Sequence, residues 1–311
     1  MNRYLPEGCY IRTHENRELT ASAEGLERAL LLGKILEAPA VLCDHALALH
    51  VSLGGGLRGI IPKEEAQMPA EGEKIKDIAI LTRVGKPVCF KVMGFEKRGD
   101  ERVAILSRRQ AQEECMLYYT DALCPGDIIP ARVTHLESFG AFVDIGCGIV
   151  SLLSIDCISI SRIAHPSERL SVGDEIHCVM KGRDAHGRIY VSQRELFGSW
   201  EENAAAFSPG QTALGIVRSV ESYGIFVELA PNLAGLAEFR EDVKEGQSAA
   251  VYIKSILPEK MKIKLIIIDA AAAPVFRTPT RYFINPCEVT HINEWIYSPA
   301  GARRRIETVF S

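Results

Sequence analysis

Residues 125–145 read PGDIIPARVTHLESFGAFVDI, and residues 209–229 read PGQTALGIVRSVESYGIFVEL. The two stretches align without a gap at a constant offset of 84 residues. Each contains Pro-Gly, then a run typical of a strand, then Glu-Ser-aromatic-Gly-x-Phe-Val and an acidic residue. Because agreement over this length is improbable by chance, the chain is predicted to contain two copies of one module.

The pattern within each copy is typical of β-structure. Ala141 and Val143 alternate with Phe142 and Asp144, which is the period of a strand with one buried face. Further along, a strand pair is predicted at 175–183 and 188–193, joined around a glycine. Five short strands in about 75 residues predict a mostly β fold made of small five-stranded barrels of the OB type.

A third and weaker copy precedes these two, since GGLRGIIP at 55–62 resembles the middle hairpin of the module. Short helical linkers are predicted at 112–123 and at 199–207, where Ser199 and Glu202 have the spacing of a capping box. The expected division is an N-terminal extension, three barrels and a C-terminal extension, at 1–25, 26–110, 123–197, 207–269 and 274–311.

Composition narrows the class of protein. The formal net charge is −4, so the whole chain does not have the basic balance of many nucleic-acid-binding proteins, although a local binding face is still possible. The nine cysteines form no Cys-x-x-Cys pair, which favours free thiols in a reducing cytoplasm and no metal or other cofactor. The polar N-terminus does not resemble a signal peptide, and no apolar stretch is long enough to span a membrane.

The stretch Ser138–Phe142 is the strongest candidate for a binding surface. Strict alternation would place Phe139 and Phe142 on opposite faces, but a bulge at Gly140 would shift the phase and bring both rings to the solvent side. Two exposed rings on a barrel would form a platform on which bases stack. The alternative is that both rings belong to the core. The repetition of the pattern with a tyrosine, Tyr223, favours the exposed position.

A second candidate feature is the hairpin Asp184–Arg188. Arg188 could contact a phosphate or stack on a base, and Asp184 could orient Arg188 or accept a hydrogen bond from a base. The alternative is an ordinary surface hairpin with a charge pair.

Residues 125–196, with FGAFVDIG, HPSERL, VGDEI and DAHGRIYVSQREL, resemble the S1 domain family, which occurs in bacterial ribosomal protein S1 and in RNA-turnover enzymes. The resemblance implies a five-stranded OB barrel that binds single-stranded RNA. The family's two aromatics, acid and arginine correspond to Phe139, Phe142, Asp184 and Arg188. Ser154 stands where the family has a histidine, so one stacking ring is missing.

The same resemblance extends to the other two barrels with further departures. In the third barrel the aromatics are Tyr223 and Phe226, Lys262 takes the arginine position, and Glu238 takes the histidine position. The first barrel has no aromatic in the stretch 41–49, where a platform would be expected, and is interpreted as a degenerate copy that docks onto protein or stiffens the array. In the C-terminal extension, arginines and aromatics could bind RNA or a partner, but Trp295 and its neighbouring rings are expected to pack against the third barrel.

The sequence therefore predicts a monomeric cytoplasmic protein that is not an enzyme. It would bind single-stranded RNA such as mRNA with little sequence preference and act in translation, with the small ribosomal subunit as a further partner. The alternative is a protein-interaction or ribosome-docking scaffold whose barrels bind RNA weakly or not at all. Loss of a ring at Ser154 and Glu238 supports the scaffold, and the retained aromatic pairs support RNA binding.

Overall fold

A computed structural model of the protein describes residues 4–69, 75–99, 101–272 and 281–310. Within these ranges the chain forms three closed five-stranded barrels and a separate two-stranded sheet. In each barrel the third strand pairs with the fifth, and these two strands run parallel. Small closed barrels with this topology are OB-type, so the predicted fold class is confirmed.

The first barrel is preceded by two helices that complete its core. Its strands are β1 (Ile35–Cys43), β2 (Leu49–Ser52), β3 (Arg58–Ile61), β4 (Pro87–Arg98) and β5 (Glu101–Ser107), and its helices are α1 (His14–Thr20), α2 (Ala23–Leu32) and α3 (Asp77–Leu81). Leu19 of α1 and Leu26 of α2 are both 1% exposed and pack with the barrel's apolar interior. The predicted boundary at residue 26 falls inside α2.

The N-terminal residues pack against other parts of the same compact unit, which comprises residues up to 123 together with 130–132 and 144–150. The buried carboxylate of Glu7 accepts hydrogen bonds from Nε and Nη2 of Arg108 at 2.7 and 3.0 Å. The backbone N–H of Glu7 donates to Asp144 at 2.7 Å. Arg108 and Glu7 are 2% and 7% exposed, and Arg83 also lies 3.5 Å from the Glu7 carboxylate, so removal of Glu7 would leave two arginines without this acid.

The second and third barrels repeat the same strand order. The second consists of β6 (Ile128–Glu137), β7 (Gly140–Asp144), β8 (Val150–Ser154), β9 (Glu175–Arg183) and β10 (Ile189–Ser192). The third consists of β11 (Thr212–Glu221), β12 (Gly224–Ala230), β13 (Leu233–Ala237), β14 (Ser248–Leu257) and β15 (Lys262–Ala271). The strand predicted at 175–183 therefore has the bounds of β9.

A helix lies at each of the two predicted linkers. α4 (Arg108–Ala122) begins four residues before the linker predicted at 112–123. Within the second barrel, the single-turn helix α5 (Ile155–Ile158) follows β8. In α6 (Trp200–Ala204), the hydroxyl of Ser199 accepts from the backbone N–H of Glu202, whose carboxylate accepts from the N–H of Ser199. The predicted capping box is confirmed.

Candidate nucleic-acid interface

Phe139 and Phe142 lie together on the outer surface of the second barrel. Phe139 is 51% exposed, and Phe142 is half-buried. Their ring centroids are 6.0 Å apart with an interplanar angle of 87°, an edge-to-face arrangement. Both rings are therefore accessible from one side of the barrel wall.

The two rings share a face because of a turn, so the predicted bulge at Gly140 is wrong. β6 ends at Glu137 and β7 begins at Gly140, which leaves Phe139 in the two-residue turn between the strands. The glycine is needed for another reason: a Cβ atom at Gly140 would lie 2.5 Å from the carbonyl oxygen of Leu153 on β8. Phe142 faces outward because its neighbours on β7, Ala141 and Val143, point into the core.

A third ring, not predicted from the sequence, belongs to the same surface. His135 on β6 stacks on Phe142, with centroids 6.4 Å apart and planes inclined by 22°. The imidazole Nε2 lies 2.7 Å from a carboxylate oxygen of Glu137, and the side chain is exposed. The repeat could have indicated that His135 and Phe142 are cross-strand neighbours. In the third barrel Ser219 pairs with Phe226 across a two-residue turn, and the residues 84 positions earlier are His135 and Phe142. We name His135, Phe139 and Phe142 the ring platform.

Ser154 lies beside this platform at the end of β8. The backbone N–H of the next residue, Ile155, donates to the carbonyl oxygen of Phe139 at 2.9 Å. The Cα of Ser154 would lie 3.0 Å from a Cβ atom placed on Gly140. The half-buried Ser154 therefore lies at the platform's edge, and its side chain carries no ring.

Asp184 organises the β9–β10 hairpin and fixes Arg188. One carboxylate oxygen of Asp184 accepts from the backbone N–H groups of His186 and Arg188, each at 2.9 Å. The other accepts from Nε of Arg188 at 2.8 Å. These hydrogen bonds, led by the one from the backbone of Arg188, lower the pKa of Asp184. Of the two roles considered for Asp184, the contacts favour orienting the arginine.

Arg188 is the exposed cation of this hairpin, with 75% of its side chain accessible. It immediately precedes β10, which pairs with β8, and β8 neighbours β7 of the ring platform. Its guanidinium is held at Nε by Asp184, and among the described residues no acceptor contacts its two terminal nitrogens. A guanidinium held at Nε keeps the edge formed by its two terminal nitrogens available for an anion.

The third barrel reproduces the ring pair. Tyr223 is 68% exposed in the turn between β11 and β12, and Phe226 is half-buried on β12. Their centroids are 6.1 Å apart and their planes are inclined by 85°. The two barrels therefore hold their rings in nearly the same geometry although the tip residue differs.

Lysine replaces arginine in the third barrel. Lys264 of β15 pairs with Leu236, as Tyr190 of β10 pairs with Leu152, so Lys262 holds the position of Arg188. Lys262 is exposed, and so is Glu238, which directly follows β13. The acid at the histidine position is the clearest electrostatic difference between the two surfaces.

The first barrel places different residues at the corresponding positions. His50 on β2 pairs with Ile60 on β3, which pairs with Ile105 on β5, so His50 corresponds to Phe142 and Val103 to Arg188. The imidazole Nε2 of His50 lies 3.0 Å from a carboxylate oxygen of Asp44, and Val103 is buried. This surface has neither the ring pair nor the exposed cation.

The C-terminal extension packs on the barrels, as the sequence analysis favoured. Trp295 and Tyr297 are 6% and 5% exposed and lie in the core of the third barrel. Tyr282 stacks on Phe197 with centroids 5.6 Å apart, and its hydroxyl accepts from the backbone N–H of His177. Two short strands, β16 (Glu294–Ile296) and β17 (Glu307–Val309), form the separate sheet.

The arginines of the C-terminal extension are exposed where the structure describes them. Arg277 lies outside the described residues, and Arg281 and Arg303–Arg305 are exposed.

Across the described ranges, no group of three or more His, Cys, Asp or Glu side chains is arranged to hold a metal ion. The described helices include none with the length and apolarity needed to cross a membrane.

Comparison with known proteins agrees with this geometry. Residues 124–193 match the family described as S1 RNA binding domain. Small ribosomal subunit protein bS1 of Neisseria meningitidis serogroup B is 28% identical over 236 residues, which are 74% of this chain and 40% of that protein. The protein of the same name from Leuconostoc lactis is 31% identical over 226 residues, 68% of this chain and 51% of that protein.

A solved structure from Streptococcus pneumoniae, described as a multidomain protein with nucleic acid binding domains, is 17% identical. The match covers 76% of this chain and 73% of that one, with a TM-score of 0.25. The chain spans about half or less of the length of the two bS1 relatives. Residues 124–193 are thus an S1 RNA binding domain, in a chain that is similar over most of its own length to small ribosomal subunit protein bS1.

Proposed function

We propose that the chain binds single-stranded RNA with little sequence preference, through the second barrel and, less typically, through the third. The observation that carries the proposal is the outward edge-to-face ring pair, present in both barrels at 6.0 and 6.1 Å. A base stacked on such a ring contributes about 1–3 kcal/mol, whichever base it is. Stacking of this kind requires accessible rings, and Phe139 and Tyr223 are 51% and 68% exposed.

Phosphate contacts would supply the rest of the binding energy. Arg188 in the second barrel and Lys262 in the third stand at corresponding strand positions on the binding side. Asp184 holds the arginine ready, so little side-chain freedom is lost on binding. Ser154 adds a hydroxyl but no ring, and Glu238 repels phosphate, which makes the second barrel the stronger site.

A role in translation follows from the similarity to bS1. We propose that the chain acts in the cytoplasm as a monomer and holds mRNA at the small ribosomal subunit. The proposal includes no catalytic step, metal or cofactor. Incubation of the full chain with end-labelled RNA and Mg²⁺ is expected to leave the RNA at full length, and shortening of the RNA would contradict this assignment.

Fluorescence anisotropy with a short unstructured RNA tests the binding site. Phe142→Ala is expected to weaken binding by about five- to 150-fold, which corresponds to 1–3 kcal/mol, and Phe226→Ala should have the smaller effect of the two. Phe283→Ala is the matched control, because Phe283 is also exposed but lies in the C-terminal extension. RNA affinity unchanged by both barrel substitutions would refute the ring platform as the binding site.

The first barrel favours a second candidate function, docking onto protein. Its surface has His50 and Val103 where the second barrel has Phe142 and Arg188. We propose that this barrel contributes to ribosome association without contacting RNA. The Phe142→Ala/Phe226→Ala double variant should then still co-sediment with small ribosomal subunits, and complete loss of co-sedimentation would show that RNA contacts alone hold the chain there.

A further inference from the structure

Tyr190 is an exposed aromatic residue that the ring platform does not include. It lies on β10 with 39% of its surface accessible, between Ile189 and Val191, which are both buried. Because side chains alternate along a strand, Tyr190 points to the outer face of the barrel. Arg188, two positions earlier, lies on the same side of the chain and is exposed.

The ring of Tyr190 lies across the neighbouring strand. Tyr190 pairs with Gly182 of β9, and a Cβ atom at Gly182 would lie 2.6 Å from the tyrosine hydroxyl oxygen and 2.9 Å from Cζ. The side chain therefore occupies the space that a larger residue on β9 would fill. The hydroxyl end of the ring covers Gly182, and 39% of the residue's surface stays open to solvent, so a base has access to the ring.

The strand order places this ring on the same surface as the platform. Tyr190 pairs with Leu152 of β8, and β8 neighbours β7, which carries Phe142. In the third barrel Phe226 pairs with Leu236, and the residues 84 positions earlier are Phe142 and Leu152. Two steps of about 4.8 Å between strands separate Phe142 from Tyr190, or about 10 Å.

The other barrels lack a ring at this position. Lys264 pairs with Leu236 in the third barrel and Ile105 pairs with Ile60 in the first, where Tyr190 pairs with Leu152 in the second. Across β7, β8 and the neighbouring β10, the second barrel therefore carries an aromatic side chain on both outer strands, Phe142 on β7 and Tyr190 on β10. Arg188 stands next to the ring of Tyr190.

We propose that Tyr190 is a further base-stacking ring beside the ring platform, so that the second barrel takes a run of at least about four unpaired nucleotides between Phe142 and Tyr190. At about 3.4 Å per nucleotide in a stacked strand, the spacing of about 10 Å between the two strands corresponds to three base steps, and the position of the Tyr190 ring over β9 adds to that length. Arg188 then contacts a phosphate next to the base on Tyr190. This inference rests on the proposed RNA binding and extends it to the length of strand recognised.

NMR titrations of the full chain with oligouridylates of two and eight nucleotides test the proposal. The chain carries Phe226→Ala, so that the third barrel contributes little. In this background Tyr190→Ala is expected to weaken octanucleotide binding about tenfold and to change dinucleotide affinity less than twofold, because a dinucleotide cannot reach both rings. Tyr190→Phe, which keeps the ring, should retain the octanucleotide affinity.

Gly182→Ala provides an independent variant with the ring still present. The added methyl group must displace the Tyr190 ring, so octanucleotide binding should weaken while dinucleotide binding does not. An octanucleotide affinity that is unaffected by Tyr190→Ala, or an equal loss of affinity for both lengths, would show that Tyr190 does not stack a base at the far end of the strand. If Phe142→Ala weakens binding and Tyr190→Ala does not, the inference fails alone; if Phe142→Ala also has no effect, RNA binding by this surface fails with it.

Discussion

At the scale of single residues, the hairpin tip shows what the binding surface requires. Phe139 and Tyr223 occupy the same turn position in two barrels, and their partner rings lie at nearly the same distance and angle. The hydroxyl group is therefore not needed for the arrangement. The glycine after each tip residue is fixed by close approach, since a Cβ atom would lie 2.5 Å from a carbonyl oxygen at Gly140 and 2.6 Å at Gly224.

Replacement of Arg188 by glutamine should change the salt dependence of binding more than its base preference. Removing one phosphate contact from a single-stranded complex is expected to reduce the slope of log affinity against log salt by about 0.7. Arg305→Gln is the control, because Arg305 is also exposed and bound through Nε to an acid, Glu307. Equal slopes for the Arg188 variant and the wild type, measured by anisotropy over a salt series, would show that Arg188 does not contact phosphate.

Ser154→His is expected to strengthen RNA binding. The position lies beside the ring platform, where the S1 family has a histidine, so the substitution adds a stacking ring worth at least about 1 kcal/mol, or about fivefold in affinity. Ser154→Ala serves as the control and should change affinity little. An Ser154→His protein that binds the same RNA no more tightly than wild type would mean that the base path does not pass this position.

At the scale of secondary-structure elements, the C-terminal extension stabilises the second barrel through Tyr282. Its ring contacts His177 edge-on, with centroids 6.0 Å apart, and its hydroxyl also accepts from Nε2 of Gln193 at 2.9 Å. The backbone of the extension joins β6 as well, since Ile128 N–H donates to the carbonyl oxygen of Thr290 at 2.8 Å. These contacts cover the start of a barrel strand that would otherwise be an open edge.

This contact predicts a pH dependence of stability. Burial of His177 lowers its pKa, so the fold favours the neutral imidazole. The stabilising contribution is therefore complete above the unfolded pKa of about 6.5 and is lost as the pH falls below it. His177→Gln should reduce the fall in melting temperature between pH 7.5 and 5.5, whereas His45→Gln, at an exposed side chain, should leave it unchanged. A wild-type-like pH profile for the His177 variant would contradict this reading.

The elements also show how far sequence reasoning reached. The repeat and the alternation of buried residues predicted the barrels, the bounds of β9 and the capping box of α6, because these depend on local patterns. The bulge at Gly140 was wrong, since a turn residue and a bulged residue both shift the strand phase by one and sequence alone does not separate them. Pairing of the extension with β6 depends on contacts between residues far apart in sequence, which no local pattern contains.

At the scale of the whole molecule, the net charge of −4 is a poor guide to the binding face. Many of the carboxylates form ion pairs within the protein. Glu228, for example, accepts hydrogen bonds from the guanidinium groups of both Arg169 and Arg218. Arg188 and Lys262 remain exposed near the ring pairs. The charge that RNA meets is therefore set by which cations reach solvent rather than by the sum over the chain.

The third barrel depends on residues from the far end of the chain for its core. Trp295→Ala is expected to lower the free energy of unfolding by about 3–5 kcal/mol, because the ring is nearly fully buried. Ile296→Ala, the next residue, is 41% exposed and should cost far less. Denaturant titration followed by circular dichroism measures both, and equal values for the two variants would show that Trp295 is not part of the core.

Dissection of the protein should take account of this dependence. A fragment cut at residues 207–269, the limits that the repeat suggests, would lack Trp295 and Tyr297 and so would leave the apolar core of the third barrel incomplete. Such a fragment is expected to aggregate or to remain partly unfolded when expressed alone. Adding residues 281–310 as a separate peptide should rescue its solubility, much as two pieces of a split protein complement each other.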